Sequence, residues 1–182
     1  MKKNNPNLII IGDTTQFVGS DIFDFNNSPF DVVIGSGYKW LLAGFGNAYV
    51  SVSDDFIDKI NSSTGLIYDK VYSGHINYLG AASLNFSIKF LQENDFKTLI
   101  QKKKKLSLLL RDELNNLGLI SPIVKKRKSH SGIFNVPGNK NLYKKLMKNG
   151  IRCALRGDGV RVSVHFYNNN SDIKKLIKVL KN

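Results

Sequence analysis

Two short stretches near the start of the chain hold the residues best suited to chemistry: "DTTQ" at 13–16 and "SGYKW" at 36–40. The first supplies a carboxylate, Asp13, and an amide, Gln16. The second supplies two hydroxyls, Ser36 and Tyr38, and an amine, Lys39, set between two aromatics. Each stretch follows an apolar run, "LIII" at 8–11 and "FDVVIG" at 30–35. Short apolar runs of this kind read as buried strands. In an α/β sheet the ends of such strands gather at one edge, where ligands bind. An acid, an amide, hydroxyls and an amine converging there would line a polar pocket. Taken alone, Asp13 could cap a turn and Lys39 could be a solvated loop lysine. Together they offer a nucleophile with an acid behind it.

The elements that must position these residues follow from the pattern. Strands are expected at 7–11, 28–36 and 47–53, with a short helix at 54–60 whose first-turn acids suit the helix dipole. Ile76, Leu79, Leu84, Ile88 and Leu91 recur near a helical period, predicting an amphipathic helix over 77–93. A longer stripe follows from Phe96 to Leu117, stopped by Gly118. Lys102–Lys105 fall within it and are expected on its solvated face, and "KKRK" at 125–128 on a loop. The remainder alternates: a strand at 131–137, a helix at 139–150, strands at 151–155 and 159–166 turning at Gly157–Gly159, and a helix at 169–182. The fold class expected is α/β, part of a larger cofactor domain over 1–93, followed by a small α+β domain over 94–182.

Composition narrows the function. A chain of 182 residues, 42% hydrophobic, can bury a core and should fold. One cysteine excludes an internal disulfide framework and suits a reducing compartment. No apolar run reaches the roughly 20 residues that span a bilayer, and Asp13 interrupts the N-terminal run too early for a signal peptide. A cytoplasmic protein with no membrane partner is the expectation, and no metal site is expected. The net charge of +13 raises nucleic acid as a partner. A Lys/Asn-rich composition gives the same charge without one, so nucleic acid is not the expected partner.

The ordered motifs resemble the class V aminotransferase superfamily of fold type I pyridoxal-phosphate enzymes, which includes cysteine desulfurases and isopenicillin-N-epimerase-like proteins. The resemblance rests on "DTTQ", "SGYKW", "GHIN" at 74–77 opening a helix, and "RVSVHFYN" at 161–168 before the last helix. It implies pyridoxal 5'-phosphate as cofactor and an amino acid as substrate. It further implies that Asp13 pairs with the pyridine nitrogen and Gln16 donates to the ring's phenolic oxygen. Lys39 forms the Schiff base and moves the α-proton. Ser36 and Tyr38 contact the phosphate. Arg161, with Arg156 as second choice, grips the substrate carboxylate. Tyr167 and Asn168 close the chain into the last helix.

Three departures from the family pattern shape the expectation. Relatives carry the other half of the cofactor domain ahead of the D-x-x-Q strand, so this chain is expected to correspond to a C-terminal half. It would then work with a complementary N-terminal half or in a homodimer, and would turn over little alone. His75 stands where relatives have a threonine that reaches the neighbouring subunit's phosphate, and could donate in its place. The sole cysteine, Cys153, lies in "IRCAL", as a core residue and not on a nucleophile loop, which argues against a desulfurase. Two other readings stay open: a non-catalytic remnant that serves as an association partner, and a basic nucleic-acid-binding module.

Overall fold

A computed structural model of the chain describes residues 4–64 and 74–181. The chain divides into two compact units, Met1–Asp95 and Phe96–Asn182. Within the first, β1 (Ile11–Asp13), β2 (Val32–Ser36) and β3 (Ala48–Val52) form a sheet in that order. β1 runs parallel to β2, and β3 is antiparallel to it. β1 begins later than the 7–11 run suggests, and it ends on Asp13. The reason is local. The Asp31 carboxylate accepts the Ile10 N–H at 2.7 Å, and the Ile10 carbonyl accepts from Asp31 N–H at 2.9 Å, so a side chain holds the entry to the ladder.

Register sorts the two faces of this sheet. Gly12, Val33 and Gly35 are buried on one face. Ile11, Asp13, Ile34 and Val50 share the other, since Asp13 pairs with Ile34 and Ile34 with Val50. That face is open: Ile11 is 62% exposed, Ile34 41% and Val50 46%.

α1 (Asp54–Thr64) follows β3, four residues longer than expected, with Asp54 and Asp55 in its first turn. α2 (Tyr78–Glu93) departs from its sequence pattern. The expected stripe splits: Leu91 is buried and Leu84 half-buried, while Leu79 is 82% exposed and Ile88 39%, and Gly80 and Ser87 turn inward. Two serines on the inward side fasten α2 to the loop after β2. Ser83 Oγ donates to the Ala43 carbonyl at 2.6 Å, and Ser87 Oγ donates to that of Leu41.

The second unit is built on β4 (Ile133–Pro137), β5 (Ala154–Arg156) and β6 (Gly159–Ser163), ordered β4-β6-β5 and wholly antiparallel. β5 and β6 meet through a two-residue turn at Gly157–Asp158, where Gly157 takes φ +54°. α3 (Phe96–Asn116), the short α4 (Pro122–Lys125), α5 (Lys140–Lys148) and α6 (Asn170–Lys181) complete it. Leu106, Leu110 and Leu114 of α3 join Phe134, Val136, Val160, Val162, Leu146, Ile173 and Ile177 in one core, as the stripe predicts. Lys103 is the exception in the lysine run. It is 3% exposed and so does not share the solvated face of its neighbours. Of "KKRK", Lys125 closes the short α4, which Ser121 caps, and Pro122 sits at its first turn, where a missing N–H costs nothing.

Candidate active site

The loop after β1 is fastened to β2. Thr14 N–H donates to the Ile34 carbonyl at 2.8 Å, and the Thr14 hydroxyl reaches the same carbonyl at 3.0 Å. Thr15 Oγ1 accepts the Ser36 N–H at 3.1 Å. "DTTQ" therefore continues the strand pairing through the Thr14 N–H and the two threonine hydroxyls, and brings Asp13 and Gln16 to the end of β2. There Trp40, buried at 6% exposure, donates its indole N–H to Gln16 Oε1 at 2.9 Å. Since the carbonyl end of the amide is engaged, the Gln16 NH2 is the end left to face outward. Gly19 (φ +84°) makes this approach possible, because a Cβ there would lie 2.7 Å from the Trp40 backbone.

Asp13 is exposed, and its Oδ1 accepts the Thr15 N–H at 2.9 Å. The Thr15 N–H, then the Thr15 hydroxyl, hold its carboxyl below the usual carboxylate range, and the Lys39 ammonium adds to the effect. The carboxylate is thus ionised and within the electrostatic reach of Lys39.

Lys39 is half-buried and lies 5.5 Å from the centroid of the Tyr38 ring, within cation–π range. Tyr38 stacks on Phe45 with centroids 5.4 Å apart. The loop carrying them is fixed from α2. Besides the two serine bonds, Asn77 donates to the Gly46 carbonyl at 3.0 Å while its Oδ1 accepts the Gly80 N–H and caps the helix. Asn47 donates to Ala43 O at 2.8 Å. Positive φ at Leu42, Gly44 and Gly46 lets this loop turn back on itself. Ser36 is half-buried and His75 exposed.

The structure therefore brings Asp13, Gln16, Ser36, Tyr38 and Lys39 to one end of the first sheet. Arg161 and Arg156 belong to the second unit, exposed on the same face of its sheet, with Arg161 opposite Asn135 and Ala154. Asn168 accepts the His165 N–H at 2.8 Å and donates to Asp172 at 3.0 Å, tying β6 to α6. Cys153 precedes β5, partly buried, and burial pushes its thiol up. Among the described residues no cluster of His, Cys, Asp or Glu could hold a metal, and no helix is long and apolar enough to cross a membrane.

Sequence reasoning missed Trp40, Thr15 and the serines of α2. The spacing of Ser83 and Ser87, one helical turn apart, could have marked a polar inward face. Nothing in the sequence pairs Trp40 with Gln16.

An α/β unit followed by a small α+β unit is the fold of part of the fold type I enzymes, about half of whose length this chain covers. An apo cysteine desulfurase from Thermococcus onnurineus NA1 superposes with a TM-score of 0.80 at 20% identity, over 98% of this chain and 53% of that one. Alanine–glyoxylate aminotransferase from Nostoc sp. gives 0.75 at 16% identity, over 95% and 53%. A mutant of C-DES with glycine covalently linked to its PLP cofactor gives 0.78 at 19% identity, over 92% and 50%. The aminotransferase class-V profile matches residues 1–176, and the chain belongs to that family. A probable cysteine desulfurase of Ureaplasma parvum is 25% identical over the whole of this chain and 52% of its own length. The chain spans about half the length of that relative.

Proposed function

We propose that this chain is the catalytic C-terminal half of a pyridoxal-phosphate-dependent class V enzyme that acts on an amino acid through Lys39. The observation that carries the reading is the joint placement of an ionised Asp13, an oriented Gln16 amide and Lys39 at one sheet edge. The donor set fits the cofactor. A carboxylate without a proton suits a protonated pyridine nitrogen, and an outward NH2 suits a phenolate oxygen. When bound, the cofactor supplies an electron sink for the bond broken at the substrate's α-carbon.

The residues of this chain do the rest. Lys39 would hold the cofactor through its side-chain amine, and that amine, when free, would be the group of this chain that moves a proton at the substrate's α-carbon. Asp13 keeps its charge opposite the ring nitrogen. Gln16 fixes the ring plane. Ser36, Tyr38 and His75 are the phosphate contacts of this reading, and Arg161, or else Arg156, takes the substrate carboxylate. Cys153, partly buried and with its thiol pushed up, is not the nucleophile of a desulfurase reaction in this account. The open apolar sheet face at Ile11, Ile34 and Val50 supports association with a complementary half or a second copy, and weak cofactor binding by this chain alone.

The test is spectroscopic. Pyridoxal phosphate added to the chain, with a complementary N-terminal half supplied, should give a visible band that Lys39→Ala loses and Lys59→Ala keeps. Identical spectra for wild type and Lys39→Ala defeat the reading.

A further inference from the structure

The charge of the chain is divided unevenly. Of its 27 lysines and arginines, 21 fall in Phe96–Asn182, together with only 4 of its 14 acids, a net charge of +17. Met1–Asp95 carries −4. A compositional bias toward lysine acts on the whole chain, so it does not account for this split.

Within the second unit the charge lines a groove between α3 and α6. One stretch, about 780 Å3, is bordered by Lys102 and Lys105. The next, about 560 Å3, is bordered by Lys174, Lys178 and Lys181. Leu109 and Asn170 belong to both, so the two stretches are continuous. All five lysines are exposed, and Glu113 is the one acid among the lining residues. On α6 the spacing of four and then three residues puts Lys174, Lys178 and Lys181 on one face over about 10 Å. At about 3.4 Å of helix axis per phosphate on one strand, that length spans about three phosphate steps of a duplex.

We propose that this groove binds the phosphate backbone of a nucleic acid, without reading its sequence. Two features favour that occupant over an acidic protein. The cations are all lysines, point charges that suit phosphates and are depleted from protein interfaces. No aromatic side chain lines the groove, so bases have nothing to stack on, and a duplex backbone fits better than an unpaired strand. This surface is independent of Lys39 and of the cofactor reading.

Binding of the full chain to a short random-sequence duplex, followed by fluorescence anisotropy between about 50 and 200 mM salt, tests it. Five neutralised phosphates give a log–log salt slope of about −4.5. Replacing Lys102, Lys105, Lys174, Lys178 and Lys181 by Gln should remove most of that slope. Replacing Lys125, Lys126, Lys128, Lys140 and Lys144 by Gln changes net charge equally and should leave it. Circular dichroism checks that both variants fold, and Lys174→Gln/Lys178→Gln, expected to lose about two-fifths of the slope, serves if the fivefold variant does not. Equal losses from the two sets, no duplex binding at low salt, or tighter groove-dependent binding of polyglutamate than of duplex each overturn the proposal.

Discussion

The indole N–H of Trp40 donates to Gln16 Oε1 at 2.9 Å, across 24 residues of sequence. A side-chain amide can present either end to a ligand. This bond decides which. It leaves the NH2 of Gln16 outward, the end that a phenolate oxygen requires. In the proposed site Trp40 is a positioning residue, although it sits in the core.

Trp40→Phe keeps a buried ring and deletes the donor. It should lower stability by about 0.5–1.5 kcal/mol, the net worth of one hydrogen bond. In a urea-denaturation double-mutant cycle with Gln16→Leu, the two changes should couple by a similar amount. Strict additivity would mean that the contact contributes nothing.

Asp13 yields a pH prediction. Its carboxyl is held low first by the Thr15 N–H and then by the Thr15 hydroxyl. A group depressed in the folded state adds stability above its unfolded value, near 3.9, and loses it as pH falls through the folded value. Wild type should therefore gain on Asp13→Asn as pH rises through the acid range, and level off above about pH 5. The Asp13 side-chain carbon should titrate below the ordinary aspartate midpoint by NMR. Thr15→Val keeps the N–H and removes the hydroxyl, so it should move that midpoint part of the way back up.

Gly35 lies under Tyr49, whose hydroxyl and ring a Cβ at position 35 would strike. The Tyr49 hydroxyl is held 2.9 Å from Thr14 Oγ1, so the ring cannot move without loosening the loop after β1. Gly35→Ala should cost about 1–3 kcal/mol as overpacking. Tyr49→Phe removes the nearest clashing atom and should restore part of that loss in the double variant. Thermal melts of the four proteins check it, and a double variant no better than Gly35→Ala alone contradicts the geometry.

Much of this was legible in the sequence because it rests on local pattern. The α3 stripe packs as its period predicts, since Leu106, Leu110 and Leu114 fall on successive turns. Gly157 marks the β5–β6 turn. The order "DTTQ", "SGYKW", "GHIN", "RVSVHFYN" carries the resemblance to the family whose profile matches residues 1–176. What was not legible depends on partners distant in sequence. Of the stripe Ile76, Leu79, Leu84, Ile88 and Leu91, Leu91 is buried and Leu84 half-buried, yet Ile76, Leu79 and Ile88 lie exposed, and Ser83 and Ser87 instead bind carbonyls 40 and 46 residues away. Lys103 reads as solvated within a lysine run and is buried. The start of β1 moved because Asp31 holds Ile10, a contact across 21 residues.

The central claim is that Lys39, among all the lysines of this chain, is the amine that holds the cofactor. Pyridoxal phosphate at limiting concentration, fixed by borohydride and mapped by peptide mass spectrometry, tests it even where binding is weak. The account predicts that the peptide containing Lys39 is labelled ahead of every other lysine, and that Asp13→Asn lowers this preference. Label spread evenly over the exposed lysines, with Lys39 no higher than Lys59 or Lys89, would contradict it.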